Sequence, residues 1–350
     1  MVKIGICGHY GGNRIFLDGQ TVKTKTITNE LVKQFGANDI RKVDSFNGKK
    51  HPFRQIIDLL KLLKNCENIV ILPAHNSLRI FVPILVIANR FYHKTLHYIV
   101  IGGWLPEFLI NRRWLLKLLK KFDYIYVETR IMKKNLEKQG LSNIEILPNC
   151  KELKILKEEE LVYSFAEPYK LCTFSRVTKG KGIEDAVYAV ERVNQRYGRK
   201  VFTLDIYGPI DEKYRIAFEK MIKMSPEYVR YMGCINYDKS VEVLKEYFAL
   251  LFPTHFRTEG IPGTIIDAYA AGVPVISARW QSFEDIVDDN IVGKGFQIDD
   301  LDEFVELLYS VGKKPEMMIE MRRSCLKKAE FFTVKQVIKD SIKIERESAT

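Results

Sequence analysis

Two kinds of block alternate along the chain: short runs that are almost wholly apolar, and longer stretches in which apolar residues recur every third or fourth position. The short runs predict strands at Lys3 to Gly8, Asn68 to Ala74, His97 to Gly103, Tyr124 to Thr129 and Ile144 to Asn149. The stretches between them predict helices, the first beginning near Thr24. Lys151 to Pro168 is polar, glutamate-rich and weakly patterned, and reads as the linker region. Beyond it the pattern resumes with a strand from Leu171, another at Val201 to Pro209 and another at Ala249 to Phe256. Near the end, MMIEMRRSCLKKAEFF (Met317 to Phe332) reads as a helix, followed by a further amphipathic run from Thr333. Such alternation implies parallel strands joined by crossover helices, an α/β class. With 350 residues, 46% of them apolar, the chain can bury two ordinary cores, and two domains are expected.

The most specific chemistry lies in TEGIPGTIIDAYAAGVPVIS, Thr258 to Ser277. Glu259 falls in a loop, Gly260, Pro262 and Gly263 form a turn, and Thr264 to Ala271 is a small-residue helix. The first amides of that helix, near Ile261 to Thr264, point at whatever sits before them, and such a helix start binds anions. Asp267 comes eight residues after Glu259, so one carboxylate lies in the loop and the other about a turn into the helix. Amides for phosphates and a carboxylate for hydroxyls at either end suit a diphosphate carrying two sugars.

This segment resembles the donor-site signature of the retaining glycosyltransferases of family 4, also called group 1. In LCTFSRVTKGKGIEDAVYAV, Leu171 to Val190, Arg176 and Lys181 match the Arg and Lys that hold the donor diphosphate in that family. The match runs over roughly Leu171 to Ser277, in the family's order, with one departure: Asp267 stands where a second Glu is usual. The resemblance implies a GT-B fold, two Rossmann-like parallel-sheet domains facing a central cleft, over residues 1–165 (acceptor binding) and 166–332 (nucleotide-sugar binding). Residues 333–350 would form a helix crossing back to the first domain. It further implies hexosyl transfer from a UDP-sugar or a related nucleoside diphosphate sugar to a saccharide. Arg176 and Lys181 would stabilise the leaving diphosphate, Glu259 would hold the sugar, Asp267 the ribose, and the turn at Gly233, Cys234 and Ile235 would lie against the base. The nucleotide sugar is a co-substrate; no cofactor and no metal are expected, because the Asp288-Asp289 and Asp299-Asp300 pairs read as surface charge.

On the acceptor side the glycine loop Gly8 to Gly12 lacks the G-x-G-x-x-G spacing of dinucleotide enzymes, which disfavours hydride transfer. In the GT-B picture Gly11 and Gly12 would approach the donor phosphates, while Asn13, Arg14 and the turn from Asp18 to Thr21 would line the acceptor side. His75 and Trp104 are the further acceptor-side candidates, and His255 would touch the donor sugar or brace its loop. Two rival readings stay open. One is an inactive GT-B partner of another transferase; the other is an enzyme of the same architecture and different chemistry, such as a sugar-nucleotide epimerase.

Charge adds a second partner. Residues 1–150 carry 24 lysines and arginines against 11 acidic residues, whereas the remainder carries 31 against 33, so the whole basic excess sits in the first half. Phe108 to Phe122 reads as one amphipathic basic helix with Trp114 at its apolar edge, and its leucines at 115, 116, 118 and 119 favour an anionic membrane surface over nucleic acid. The six cysteines form no CxxC pair, as in a reducing compartment. The opening MVKIGICGHYGG reads as a strand and loop and not as a leader, and no apolar run reaches bilayer length. The expected location is cytoplasmic, peripheral at the inner face of the cell membrane. The expected setting is capsule, exopolysaccharide or O-antigen assembly on a lipid-linked saccharide.

Overall fold

The computed structural model describes residues 2–12, 19–46, 48 and 51–344. They divide into two compact units: residues up to Glu152 together with those from Phe332 on, and Leu153–Phe331. The sequence pattern had placed the division at 165/166. The stretch after Glu152 joins the second unit instead, because the Leu156 amide donates to the Ala270 carbonyl at 2.9 Å and Leu156 and Leu161 pack with Leu326.

The first unit runs β1 (Val2–Gly8), α1 (Gly19–Phe35), β2 (Ile40–Asp44), α2 (Pro52–Asn65), β3 (Cys66–Leu72), α3 (His75–Tyr92), β4 (Thr95–Ile99), α4 (Leu105–Ile110), α5 (Arg113–Leu119), β5 (Tyr124–Val127), α6 (Arg130–Lys138) and β6 (Ile144–Ile146). Its six strands are parallel in the order β2-β1-β3-β4-β5-β6. Residues of α2 to α6 bury one face of this sheet around Leu62, Ile71, Leu85 and Val127. Those of α1 bury the other, around Ile6, Ile27, Leu31 and Val70. The terminal helix of the chain closes this second core with Val334, Val337 and Ile338.

The second unit runs β7 (Tyr169–Phe174), α7 (Ile183–Tyr197), β8 (Phe202–Tyr207), α8 (Arg215–Met224), β9 (Val229–Gly233), α9 (Ser240–Leu244), β10 (Ala249–Phe252), α10 (Gly263–Ala270), β11 (Val275–Arg279), α11 (Phe283–Ile286), β12 (Gly293–Gln297), α12 (Leu301–Lys313) and α13 (Glu316–Glu330). The terminal helix is α14 (Val334–Ser341). The second sheet is also parallel, ordered β12-β11-β10-β7-β8-β9. Every residue of β10 is buried, as the run ALLF requires. Capping fixes several helix starts: Thr129 accepts from the Met132 amide at 3.3 Å, and Asp300 from the Glu303 amide at 2.8 Å.

Three expectations change. The first helix starts at Gly19, five residues before Thr24, so Gly19 to Thr21 are helical and not a turn. The strand β2 carries no strong apolar alternation and was not read from the sequence, because only Ile40 and Val43 of IRKVD are shielded at this sheet edge. The helix expected over Phe108 to Phe122 is two short ones, broken at Asn111 and Arg112. Leu115 and Leu119 lie fully in the core, and Leu116 and Leu118 pack against it. Those leucines therefore hold the first unit together and are not free for a membrane.

Candidate active site

In an open parallel sheet, ligands bind beyond the carboxyl ends of the strands, where the strand order reverses. In the second unit that point lies between β7 and β10. From β7 the chain moves outward through β8 and β9, and from β10 it moves the other way through β11 and β12. The loops leaving β7 and β10 are the ones that carry Arg176, Lys181 and Glu259.

These two loops are locked together by close backbone approach. Gly182 has φ 67, and a Cβ there would lie 1.8 Å from the Pro253 carbonyl oxygen. A Cβ on Gly180 would meet the Phe256 ring at 2.5 Å. The His255 amide donates to the Gly180 carbonyl at 2.9 Å. At 182 only glycine fits against the Pro253 backbone, and at 180 any side chain would have to displace the Phe256 ring. The consequence is that Lys181 Nζ donates to Glu259 Oε1 across 78 residues of sequence. Both side chains are 18% exposed. The ammonium also stands 5.2 Å from the Phe252 ring centroid and 5.3 Å from that of Phe256. Aromatic faces attract a cation and shield it from water. The Thr254 hydroxyl lies 3.4 Å from Glu259 Oε1. Arg176, at the mouth of the β7 loop, is exposed to solvent.

Glu259 leads into α10, whose N-cap is Pro262. The Ile265 and Ile266 amides donate to the Pro262 carbonyl at 3.1 and 3.4 Å, so the helix and the positive end of its dipole begin at this turn. Thr264 Oγ1 is shielded from water and has no hydrogen-bond partner. Asp267 is 5% exposed and stands three residues after Thr264 and four after Gly263, on the same side of the helix. The turn after β9 sits at the same end of the sheet: Gly233 has φ 77, its carbonyl accepts from the Gly208 amide at 2.9 Å, and Cys234 is exposed. Ile235 follows, half-buried.

His255 braces the β10 loop. Its Nε2 lies 3.1 Å from Asp185 and its Nδ1 2.7 Å from Asp299, which also takes Arg257 at 2.6 Å. Burial raises the Asp185 carboxyl above the usual range against the pull of His255, while the hydrogen bond from His255, joined by Arg257, lowers Asp299. Neither carboxylate was read from sequence, since Asp185 and Asp299 lie 114 positions apart and nothing local marks either. The aspartate pairs have structural tasks: Asp288 pairs with Lys328 at 2.8 Å, Asp289 with Arg279, and Asp300 caps α12. Among the described residues no group of three or more His, Cys, Asp or Glu side chains is placed to hold a metal ion.

In the first unit the glycine loop follows β1. The Asp44 carboxylate accepts from the amides of Tyr10 (2.9 Å), Gly12 (2.7 Å) and Phe46 (2.9 Å). The Gly12 amide, expected to face phosphate, is thereby engaged by a carboxylate; Gly11 is buried with φ 88. Arg14, with Asn13 and Asp18, lies outside the described residues. His75, the first residue of α3, and Trp104, the N-cap of α4, do come together: their rings stack at 3.8 Å. The Trp104 indole N–H donates to the Ile101 carbonyl at 2.8 Å. Partial burial, then the cations Arg79 and Arg112, lower the His75 pKa, so its ring is neutral near pH 7. A buried pair that the sequence did not reveal, Lys23 with Glu128 at 2.5 Å, holds the Gly102 amide through Glu128 at 3.1 Å.

Comparison with known proteins bears on the family and on the fold. Residues 168–312, within the second unit, match the family Glycosyl transferases group 1. The chain is 24% identical over 131 residues to the amylovoran biosynthesis glycosyltransferase AmsK of Erwinia amylovora, covering 36% of this chain and 32% of that protein. It spans 32% and 46% of the lengths of the two curated relatives it matches. Among solved structures, HepE of Anabaena in complex with UDP and glucose aligns with TM-score 0.74 at 13% identity, covering 97% of this chain and 98% of that one. The lipopolysaccharide outer core galactosyltransferase WaaB aligns with TM-score 0.71 at 15% identity, with 97% of each chain covered. The fold is therefore that of GT-B glycosyltransferases: two α/β units, each built on a six-stranded parallel sheet.

Proposed function

We propose that the chain is a retaining, metal-independent hexosyltransferase that moves a sugar from a UDP-sugar to a saccharide acceptor carried on a lipid. The setting is the assembly of capsular polysaccharide, exopolysaccharide or O-antigen. The observation that carries the reading is the meeting of Lys181 and Glu259 at the strand-order reversal, beside the N-terminus of α10. The family match over residues 168–312 supports it, as do the solved complex of HepE with UDP and glucose and the biosynthetic role in the name of AmsK.

In this mechanism the diphosphate lies on the amides at Ile261 to Thr264, with Arg176 and Lys181 as its counter-charges. Asp267 accepts from the ribose hydroxyls, and the turn at Gly233, Cys234 and Ile235 lies against the base. Glu259 orients the hexose. The bond from the anomeric carbon to the diphosphate oxygen breaks with its electron pair on the oxygen, and the sugar gains oxocarbenium character. The acceptor hydroxyl oxygen bonds to the anomeric carbon from the same face, and its proton passes to the departing phosphate oxygen. The positive groups gain most as negative charge collects on the leaving group, which is the condition for lowering the barrier. The stacked pair His75 and Trp104 offers an aromatic face to the acceptor sugar.

Slow transfer to water tests the stereochemistry without an identified acceptor. Proton NMR of UDP-glucose with excess protein and EDTA should show α-glucose first, before mutarotation. β-Glucose as the first product would overturn retention, and loss of turnover in EDTA would overturn metal independence. A UDP-sugar isomer formed without any acceptor would instead select the epimerase reading.

A further inference from the structure

The helix α3 is apolar on two sides. Leu78, Phe81, Val82 and Leu85 face the sheet and are buried. Ile80, Ile87 and Phe91 recur on the opposite side at helical spacing and are 52%, 59% and 82% exposed. Flanking helices extend this outer face. On α2, packed beside α3, Phe53 and Ile57 are 81% and 52% exposed one turn apart, and on α5, packed on the other side, Trp114 is 48% exposed. Large apolar side chains left in water together on neighbouring helices of a folded domain mark an interaction surface.

Its charge says which kind. Exposed cations are interleaved with the apolar residues: Arg54 and Lys64 on α2, Arg79 and Arg90 on α3, Arg113 and Lys117 on α5. Neither α3 nor α5 contains an acidic residue, and the single one on α2, Asp58, is taken up by Lys61 at 3.3 Å and Arg54 at 3.9 Å. A protein core laid on this face would have to desolvate those cations. A lipid leaflet accepts the isoleucine and aromatic side chains among its acyl chains while the long basic side chains reach back to the headgroups. Among the described residues no helix is long and apolar enough to cross a membrane, so α3 would lie along the surface.

We infer that the outer face of α2, α3 and α5 docks the protein on an anionic lipid surface through Phe53, Ile57, Ile80, Ile87, Phe91 and Trp114, with the surrounding arginines and lysines on the headgroups. The surface lies mainly on α2 and α3, and of the Phe108 to Phe122 segment that the sequence pattern singled out only Trp114 adds to its apolar part. Binding to lipid needs neither donor nor acceptor, so its failure and the failure of the transfer reading are separately visible.

The experiment is co-sedimentation of the full chain with vesicles of phosphatidylcholine alone and of phosphatidylcholine mixed with phosphatidylglycerol. The protein should sediment with the anionic vesicles and be released by salt. The Ile87→Ser and Phe91→Ser double variant, which alters exposed side chains only, should keep its circular dichroism and lose binding by roughly tenfold or more. The Arg79→Gln and Arg90→Gln double variant should lose about 25-fold, from about fivefold per cation. Equal binding to neutral and anionic vesicles, or none to either, would overturn the proposal. So would self-association in analytical ultracentrifugation that the Ile87 and Phe91 changes abolish, which would assign the face to a second copy of the chain.

Discussion

Replacing Glu259 by glutamine should make the protein bind bare UDP more tightly while it transfers sugar more slowly. In the structure Lys181 Nζ is held by Glu259 Oε1, with both side chains 18% exposed. A diphosphate placed on the start of α10 competes with that carboxylate for the ammonium and is repelled by its charge. Two unit charges ~6 Å apart interact by about 0.7 kcal/mol in bulk water and about 3 kcal/mol at an effective dielectric of ~20. Solvent access to the pair places the gain near the lower end, about 1 kcal/mol, or roughly fivefold in the UDP dissociation constant. Transfer responds in the opposite sense, because an amide orients the hexose hydroxyls less well. A loss of about 100-fold in turnover is expected, by the scale of losing one positioned transition-state contact. Isothermal titration with UDP reads the first effect and product formation from UDP-sugar the second. Lys181→Met serves as the opposite control and should weaken UDP by tenfold or more. Unchanged or weaker UDP binding by Glu259→Gln would refute the idea that these two side chains share the diphosphate site.

Two further predictions concern the frame of each unit. His97 is fully buried, with Nε2 3.1 Å from Asn68 Oδ1 and Nδ1 3.1 Å from the Tyr126 hydroxyl; burial holds its pKa down to about 4, against about 6.5 in the unfolded chain. The unfolded state therefore binds the extra proton first, and the stability that neutral His97 provides above pH 6.5 is lost as pH falls toward 4, by about 2 kcal/mol at pH 5. Urea unfolding at pH 7 and pH 5 should show His97→Gln losing about that much less than the native protein, and equal losses would sink the assignment. Gly182→Ala places a methyl group 1.8 Å from the Pro253 carbonyl oxygen at φ 67. It should cost about 2–4 kcal/mol in urea unfolding and weaken UDP binding, and a variant within 0.5 kcal/mol of the native protein (the ~0.5 kcal/mol scatter of neutral surface changes) would show that the loops are not locked as described.

The α/β class and most central strands were legible because a strand such as ALLF or IVIL is apolar throughout and bounded by turns. The edge strand β2 was not legible, since IRKVD leaves three of its five side chains in water. Phe108 to Phe122 keeps helical spacing across Asn111 and Arg112, so periodicity alone could not show that the chain breaks there and turns its leucines into the core. At the site, Lys181, Glu259 and Asp267 were readable from local motifs. What they touch was not: the Lys181 to Glu259 contact, the rings of Phe252 and Phe256, and the bracing of His255 by Asp185 and Asp299 join residues far apart in sequence. The Asp44 grip on the Gly12 amide was hidden for the same reason, because it depends on β2 lying beside β1.

The central claim is that the loops after β7 and β10 bind a nucleoside diphosphate sugar, and calorimetric titration of UDP-glucose into the native protein and into Arg176→Ala and Lys181→Ala tests it most directly. One binding event per native chain is expected in the presence of EDTA, weakened in each variant by about 2–3 kcal/mol, or roughly 30- to 150-fold. Equal affinity in all three proteins would place any nucleotide elsewhere. No binding of UDP-glucose or of GDP-, ADP- and dTDP-sugars to the native chain would contradict the donor site and return the protein to the reading of an inactive partner.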